Sequence, residues 1–321
     1  MRLWCMTSEN YEQRINQLLS TAAGLPTLPG VAMQVITSVN DKHADVAALI
    51  QILQRDPALA AKILRVANSP IYGSRRGVES LQQAVVMLGM RATHSLALSF
   101  SLVPALKLQS EGTLDYALYW RRCLLSATAA KQIAACILPA DKEAAFLAAL
   151  IQDLGMLVLD RVMPELYAGL PCSQMDHLGL LAHERSRFGL DHAHVGGWMA
   201  REWGFSERMQ NAVAHSHQPE GADGGDSDRQ FACCVALGAE LADMMLGADG
   251  DCDLYRIAAK AEQWLAIDGV STGGIVESVT RSIPAFERIF DTRLLDQDKL
   301  QMISDLAREK LAELRAVASG E

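Results

Sequence analysis

The stretch Ala149-Leu150-Ile151-Gln152-Asp153-Leu154-Gly155-Met156-Leu157-Val158-Leu159 decides the fold. Its almost continuous apolar character predicts a helix that is buried on all sides. Asp153 is the one carboxylate in this run, and burying a carboxylate costs free energy unless it is paired or hydrogen-bonded. We therefore expect a partner for this carboxylate: a metal ion, or a side chain such as Arg122, His192 or His217. As the partner of Asp153 we favour a side chain over a metal ion.

The composition limits the class of protein. The chain has 321 residues and is 50% hydrophobic, enough for one large or two modest domains. It carries 29 basic and 38 acidic residues and no strongly basic block, so direct nucleic-acid binding is not expected. No run of 18 apolar residues and no signal-peptide pattern is present, which predicts a cytoplasmic protein without membrane contact. The cysteines are scattered and odd in number, which is typical of reduced thiols.

Helical periodicity recurs along the chain, whereas strand patterns are scarce. Asp56-Pro57 predicts a helix start, because Asp caps the first backbone amides and Pro suits the first helical position. This helix should end near Asn68-Ser69-Pro70, since Pro disfavours helix in the residue before it. Near the end of the chain, an apolar stripe at helical spacing consists of Leu300, Ile303, Ala307, Leu311 and Leu314.

Two further helix starts are indicated by local signals. Ser80 and Gln83 have the spacing of a capping box, and the helix that they begin should run through Leu88 and end at Gly89. Asp141 is expected to cap the helix that leads into the apolar run around Asp153.

Metal-dependent hydrolysis needs several histidines and carboxylates around one or two cations, which activate water and hold phosphate oxygens. The candidates are Asp153, His192, His194, His215, His217 and Asp243. They are far apart in sequence, so only the fold can bring them together. His192 and His194 are two residues apart, and so are His215 and His217. On a helix, this spacing points the two side chains of a pair to different faces. The alternative for each histidine is a surface residue or a hydrogen-bonding partner.

Several segments, taken in order, resemble the HDOD family, the HD-related output domains of bacterial signalling proteins. The resemblance spans about residues 24–220. It rests on 24–30 (GLPTLPG), 55–73 (RDPALAAKILRVANSPIYG), 80–89 (SLQQAVVMLG), 120–121 (WR), Glu184, 189–196 (GLDHAHVG), 203–206 (WGFS) and 217–219 (HQP).

The resemblance implies an all-α fold, with a multi-helix HD-like bundle preceded by a smaller N-terminal helical subdomain. The expected divisions are an N-terminal helix at 1–23, the N-terminal helical part at 24–115, the degenerate HD-like part at 116–220, a polar linker at 221–229, and C-terminal helices at 230–321 that pack on the HD-like part.

HDOD is a non-catalytic branch of the HD phosphohydrolase superfamily, whose metal ligands include a His-Asp doublet. Carried over onto this chain, the first superfamily histidine falls near Arg122 and the histidine of the doublet falls on Gln152. The aspartate of the doublet is retained as Asp153. Met156 replaces a lysine that follows the doublet, and Ser216 replaces the first histidine of a later pair. The resemblance therefore implies an incomplete ligand set.

His192 and His217 occupy later histidine positions of the superfamily. A cation at this site would also be repelled by the charge of Arg122. The vestigial pocket is expected to contain Arg122, Gln152, Asp153, His192 and His217. The ligands of a metal ion, if one is bound, would be Asp153, His192, His217 and Asp243.

This combination implies a non-enzymatic bacterial signalling protein that binds other signalling proteins, in cyclic-di-GMP, stress or motility control, and that needs no cofactor. Two alternatives stay open. One is a residual metal-dependent phosphohydrolase built on Asp153, His192 and His217. The other is a sensor in which Arg122 and Gln152 hydrogen-bond a phosphate or a nucleotide. The partner and the oligomeric state are not predicted.

Overall fold

The computed structural model describes residues 15, 27–41, 45–69, 72, 77–108, 112–168, 170, 177–247 and 253–319, and gives the backbone alone for residue 178 and residues 310–319. All regular secondary structure in these ranges is helical, which confirms the predicted all-α class. The N-terminal helix predicted over 1–23 lies outside the described residues except for Ile15, which is helical and buried.

Apart from the single helical residue Ile15, the described residues before the HD-like part form five α-helices. They are α1 (Gly30–Asn40), α2 (Val46–Gln54), α3 (Pro57–Ala67), α4 (Leu81–Leu88) and α5 (Met90–Leu108). Helix α3 has the predicted start, since the Asp56 side chain accepts a hydrogen bond from the amide of Leu59 at 3.0 Å. Helix α4 begins at the predicted cap as well, with Ser80 Oγ accepting from the amide of Gln83 at 3.2 Å.

Gly89 ends helix α4 with a φ of 84°, a conformation that glycine adopts without strain. The chain bends there by 113° and continues as α5. Of the helices that the structure describes, none is long and apolar enough to cross a membrane alone, although this bent pair passes the same test of length and composition.

In the HD-like part, the residues that the structure describes form six helices and two short 3₁₀ turns. They are α6 (Tyr116–Ile137), α7 (Lys142–Ile151), α8 (Leu154–Val162), Pro164–Leu166, α9 (His177–Phe188), α10 (His192–Glu202), α11 (Glu207–Ala214) and Pro219–Gly221. Helix α6 lies at the centre and packs along α7. Helix α10 packs on both α8 and α11.

The apolar run 149–159 is not one helix, so that prediction was wrong. Helix α7 ends at Ile151, and α8 begins at Leu154 after a two-residue turn. The turn lets α8 lie directly against the start of α10. This approach depends on Gly155, where a Cβ atom would lie 1.9 Å from the carbonyl oxygen of His192. The turn places the Asp153 carboxylate inside the bundle.

The expected cap of α7 is also corrected. Asp141 occupies the N-cap position, but its side chain makes no capping hydrogen bond. It accepts a hydrogen bond from Arg208 Nη1 at 2.9 Å instead, because this ion pair competes for the same carboxylate. Asp141 therefore joins α7 to α11.

The C-terminal helices are α12 (Asp226–Leu246), α13 (Leu254–Leu265), α14 (Gly269–Phe290) and α15 (Gln297–Ser319). The polar linker predicted over 221–229 is shorter than expected, because α12 already begins at Asp226. Acidic residues stabilise the start of a helix, which explains how this polar segment becomes helical. In the stripe predicted for α15, Ile303 and Ala307 are buried and Leu300 is partly buried, while the side chains of Leu311 and Leu314 lie outside the described residues.

Helix α12 packs along α6 so closely that a Cβ atom at Gly238 would lie 2.7 Å from the carbonyl oxygen of Ser126. Helix α14 also packs on the HD-like part, where Phe286 stacks on Phe146 of α7 with ring centroids 5.4 Å apart. The contact between α6 and α12 brings Arg122 and Asp243 together.

Candidate functional site

A buried polar cluster lies where the turn between α7 and α8 meets four helices. It contains five residues that the sequence singled out, and two more that complete their contacts. Its members are Arg122 of α6, Asp153 of the turn, His177 and Glu184 of α9, His192 of α10, His217 after α11, and Asp243 of α12.

Arg122 joins the two aspartates of the cluster. Its Nε donates to Asp243 Oδ1 at 2.6 Å, and its Nη2 donates to Asp243 Oδ2 at 3.1 Å. Its Nη1 donates to Oδ2 of Asp153. The planar guanidinium thus uses three nitrogens on two carboxylates, a geometry that a lysine cannot reproduce. Arg122 is 5% exposed and Asp153 is fully buried, so water screens this pair little.

The charge of Arg122 keeps Asp153 ionised. Burial alone would raise the pKa of the Asp153 carboxyl, but Arg122 and the neighbouring imidazoles outweigh burial and hold that pKa well below its usual range. The pKa of His177 is lowered, first by burial and then by the Arg122 charge. His177 is therefore neutral beside an ionised aspartate.

Three imidazoles surround the other oxygen of Asp153. The Nε2 atoms of His192 and His217 each lie 3.6 Å from Asp153 Oδ1, and the Nε2 atom of His177 lies 3.7 Å from it. The Nε2 atoms of His192 and His217 are 2.9 Å apart. Within the described residues, neither Asp153 Oδ1 nor His177 Nε2 has a hydrogen-bond partner. These four atoms could act together as ligands of one cation.

Glu184 fixes the orientation of His192. Its carboxylate oxygens lie 2.8 and 2.9 Å from His192 Nδ1, and it accepts the backbone amide of His192 at 2.8 Å. Tyr167 donates its hydroxyl to the same carboxylate at 2.7 Å. Burial lowers the pKa of His192, but Glu184 outweighs this effect and the pKa is raised. Glu184 thus engages the Nδ1 atom, and Nε2 is the ring nitrogen that faces Asp153.

The start of α10 is set by a second carboxylate. Asp191 accepts the backbone amide of His194 at 3.1 Å, which caps the helix, and it accepts Arg185 Nε at 2.6 Å. His194 turns toward Asp191, with its Nδ1 at 2.7 Å from the carboxylate. Similarly, His215 Nδ1 lies 3.0 Å from the carbonyl of Asn211. These two histidines are thus engaged in contacts away from the Asp153 cluster.

Gln152 and Asp243 differ from their expected roles. Gln152 is fully buried, and its side-chain nitrogen and oxygen have no hydrogen-bond partner among the described residues. Asp243 was expected beside Asp153, His192 and His217 as a possible metal ligand, but it faces Arg122. His177, rather than Asp243, is the fourth residue that lies close to Asp153, His192 and His217. No sequence signal pointed to His177, because it is an isolated histidine whose place depends on how α9 packs.

The ligand set that the resemblance to the HD superfamily implies is incomplete in this chain. Arg122 lies near the position of one expected histidine, and Gln152 occupies the position of another. The cationic Arg122 also occupies both oxygens of Asp243 and one of Asp153.

These features define an HD-like helical bundle. A sequence model of the HDOD domain matches residues 25–219, and the chain therefore belongs to the HDOD family. This confirms the family that the motif order indicated.

Solved structures show the same fold. An HDOD domain protein of unknown function from Geobacter sulfurreducens is 21% identical with a TM-score of 0.71, over 89% of this chain and 98% of that one. A "Putative phosphohydrolase" from Shewanella amazonensis SB2B is 22% identical with a TM-score of 0.66, over 89% and 98%. A "Putative signal transduction protein" from Marinobacter aquaeolei VT8 is 22% identical with a TM-score of 0.66, over 88% and 66%. No curated protein matches the sequence.

Proposed function

We propose that this chain is a non-enzymatic regulatory module that acts by binding another signalling protein. The observation that carries the proposal is the position of Arg122 between Asp153 and Asp243. A metal-dependent hydrolase needs free carboxylates for its cation and an open coordination position for water. Here a guanidinium neutralises the carboxylates, and the ion pair stabilises the packing of α6 against α12 and the turn.

The same contacts argue against a phosphate sensor built on Arg122 and Gln152. Arg122 already donates from Nε, Nη1 and Nη2 to carboxylates, and it is buried. A phosphate would have to compete with both Asp153 and Asp243, and displacing the fully buried Asp153 would leave its charge without a partner, which is costly.

Two observations support binding to a protein. The chain belongs to the HDOD family, whose resemblance implies a signalling output domain, and a structure named "Putative signal transduction protein" is among the similar folds. Four large hydrophobic side chains of the N-terminal helices are also exposed, and burying such side chains against a partner favours association. These are Met33 and Val39 of α1, and Val86 and Met87 of α4. We propose a partner from cyclic-di-GMP, stress or motility control.

Site-specific crosslinking tests this proposal. A photoreactive amino acid replaces Val86, which is 71% exposed, in the full chain within its native cells. The matched control carries it at Tyr255 of α13, which is 63% exposed. We expect one discrete adduct with a signalling protein from position 86 and none from position 255. Absence of an adduct from position 86, or the same adduct from both positions, would contradict binding through the N-terminal helices.

A further inference from the structure

We propose that Asp153, His177, His192 and His217 form a closed four-ligand site for a zinc-type divalent cation, and that this ion has a structural role. The site goes beyond the regulatory function proposed above, and neither depends on the other. It uses the oxygen of Asp153 that Arg122 leaves free. It also includes His177 in place of Asp243, so it differs from the ligand set that the HD resemblance implied.

The distances are close to those of a tetrahedral ion. Zinc bonds to histidine nitrogens and carboxylate oxygens are about 2.0–2.2 Å long, so neighbouring ligand atoms in a tetrahedron lie about 3.3–3.6 Å apart. The three separations from Asp153 Oδ1 are 3.6, 3.6 and 3.7 Å. All four ligand atoms lie within 4.8 Å of one another. The Nε2 atoms of His192 and His217 are 2.9 Å apart, so they would have to separate by a few tenths of an ångström to reach this geometry.

The contacts of His192 also suit a metal ligand. Glu184 lies within hydrogen-bonding distance of His192 Nδ1, so His192 Nε2 is the ring nitrogen that faces Asp153 and His217. This carboxylate–histidine pairing is the usual support of a histidine ligand, because it fixes the ring and makes the imidazole more basic. Tyr167 in turn orients Glu184.

A divalent cation resolves two costs in the cluster. Asp153 Oδ1 and His177 Nε2 are buried polar atoms without a hydrogen bond among the described residues, a situation that destabilises a folded protein. A bound divalent cation would give both Asp153 Oδ1 and His177 Nε2 a partner.

The burial of the ligands points to a structural ion. Asp153 and His192 are fully buried, and the side chains of His217 and His177 are 7% and 12% exposed. Four protein ligands fill a tetrahedral shell, whereas catalytic zinc keeps one position for water or substrate. The ion would connect the turn before α8, the starts of α9 and α10, and the turn after α11.

Metal analysis of the full chain, purified without a histidine tag or chelator from zinc-supplemented medium, tests the site. We expect one zinc per chain in the wild type, and loss of that zinc in His177→Gln. The matched control is His215→Gln, which removes a nearby histidine outside the cluster and should retain the ion.

Glu184→Gln should weaken zinc binding about 10–100-fold, the usual effect of removing a group that supports a ligand. In the metal-free wild type, zinc at 100 times its Kd should raise the folding equilibrium constant about 100-fold.

Co²⁺ provides a readout that does not depend on any variant, because four-coordinate Co²⁺ absorbs visible light more strongly than six-coordinate Co²⁺. Metal-free wild-type protein should show the four-coordinate spectrum, and zinc should remove it. A wild type that holds no zinc and gives no such spectrum would overturn the proposal. Full zinc content in a folded His177→Gln variant would overturn it as well.

Discussion

Arg122 donates a hydrogen bond through Nη1 to Oδ2 of Asp153, and both side chains are buried. The two residues are 31 positions apart in sequence, on α6 and on the turn between α7 and α8. In the HD superfamily the corresponding positions belong to metal ligands. In this chain the pair is an internal ion pair, extended by Asp243, that stabilises the bundle.

Removing Arg122 should therefore destabilise the fold strongly. Arg122→Met leaves Asp153 buried without its cation and removes the partner of the half-buried Asp243, and breaking a buried pair in this way costs about 3–5 kcal/mol. Arg122→Lys keeps the charge but loses the planar fork, so its loss should be intermediate. Urea unfolding measures both.

Arg281→Met is the control for this series, because Arg281 is largely exposed and should change the free energy of unfolding by at most about 0.5 kcal/mol. A midpoint for Arg122→Met equal to that of the wild type would show that the ion pair does not stabilise the fold.

Gly155→Ala should also destabilise the protein, by more than about 2 kcal/mol, because the new Cβ atom would overlap the His192 carbonyl. Helices α8 and α10 would have to separate, which would move His192 away from Asp153. Thermal unfolding measures the loss of stability.

Gly274→Ala provides the matched comparison in a helix. No atom lies within 4 Å of the Cβ position at Gly274, so alanine should stabilise α14 by up to about 1 kcal/mol. Equal effects of the two substitutions would contradict the close contact at Gly155.

Acid should destabilise the fold through His94. Burial lowers the pKa of His94 below its ordinary value, and a backbone contact with Met90 offsets this in part. Below about pH 6.5 the unfolded chain thus binds a proton that the folded chain does not, and stability falls as the pH falls, by at most about 1.4 kcal/mol per pH unit.

His94→Gln should reduce this dependence while keeping a hydrogen bond to Ser38, which lies 3.2 Å from His94 Nε2. Urea titrations at about pH 7.5 and about pH 5.5 give the difference in free energy. That difference should be smaller in His94→Gln than in the wild type. Identical differences in the two proteins would contradict the lowered pKa.

Local capping signals predicted several helix ends correctly. Asp56, Ser80 and Gly89 begin or end helices as predicted, because capping depends on a few neighbouring residues. The division at Gln152-Asp153 was not predictable, since an apolar run suits one long buried helix and two short ones equally well. Only the approach of α10 to Gly155 decides between them.

The sequence predicted several residues of the candidate site but not how those residues are arranged. The cost of burying Asp153 correctly suggested Arg122, His192 and His217 as neighbours. Sequence spacing gave no information about His177, which reaches the cluster through the packing of α9. Nor did it show that Asp243 faces Arg122, because that contact depends on how closely α12 packs against α6.

Hydrolysis of phosphodiesters tests the central claim most directly. The full wild-type chain and Asp153→Asn would be assayed with bis(p-nitrophenyl) phosphate and a panel of cyclic dinucleotides, with Mn²⁺ or Zn²⁺ supplied and circular dichroism confirming that both are folded. A non-enzymatic module predicts no turnover in the wild type above that of Asp153→Asn. Metal-dependent turnover in the wild type that Asp153→Asn abolishes would contradict the account.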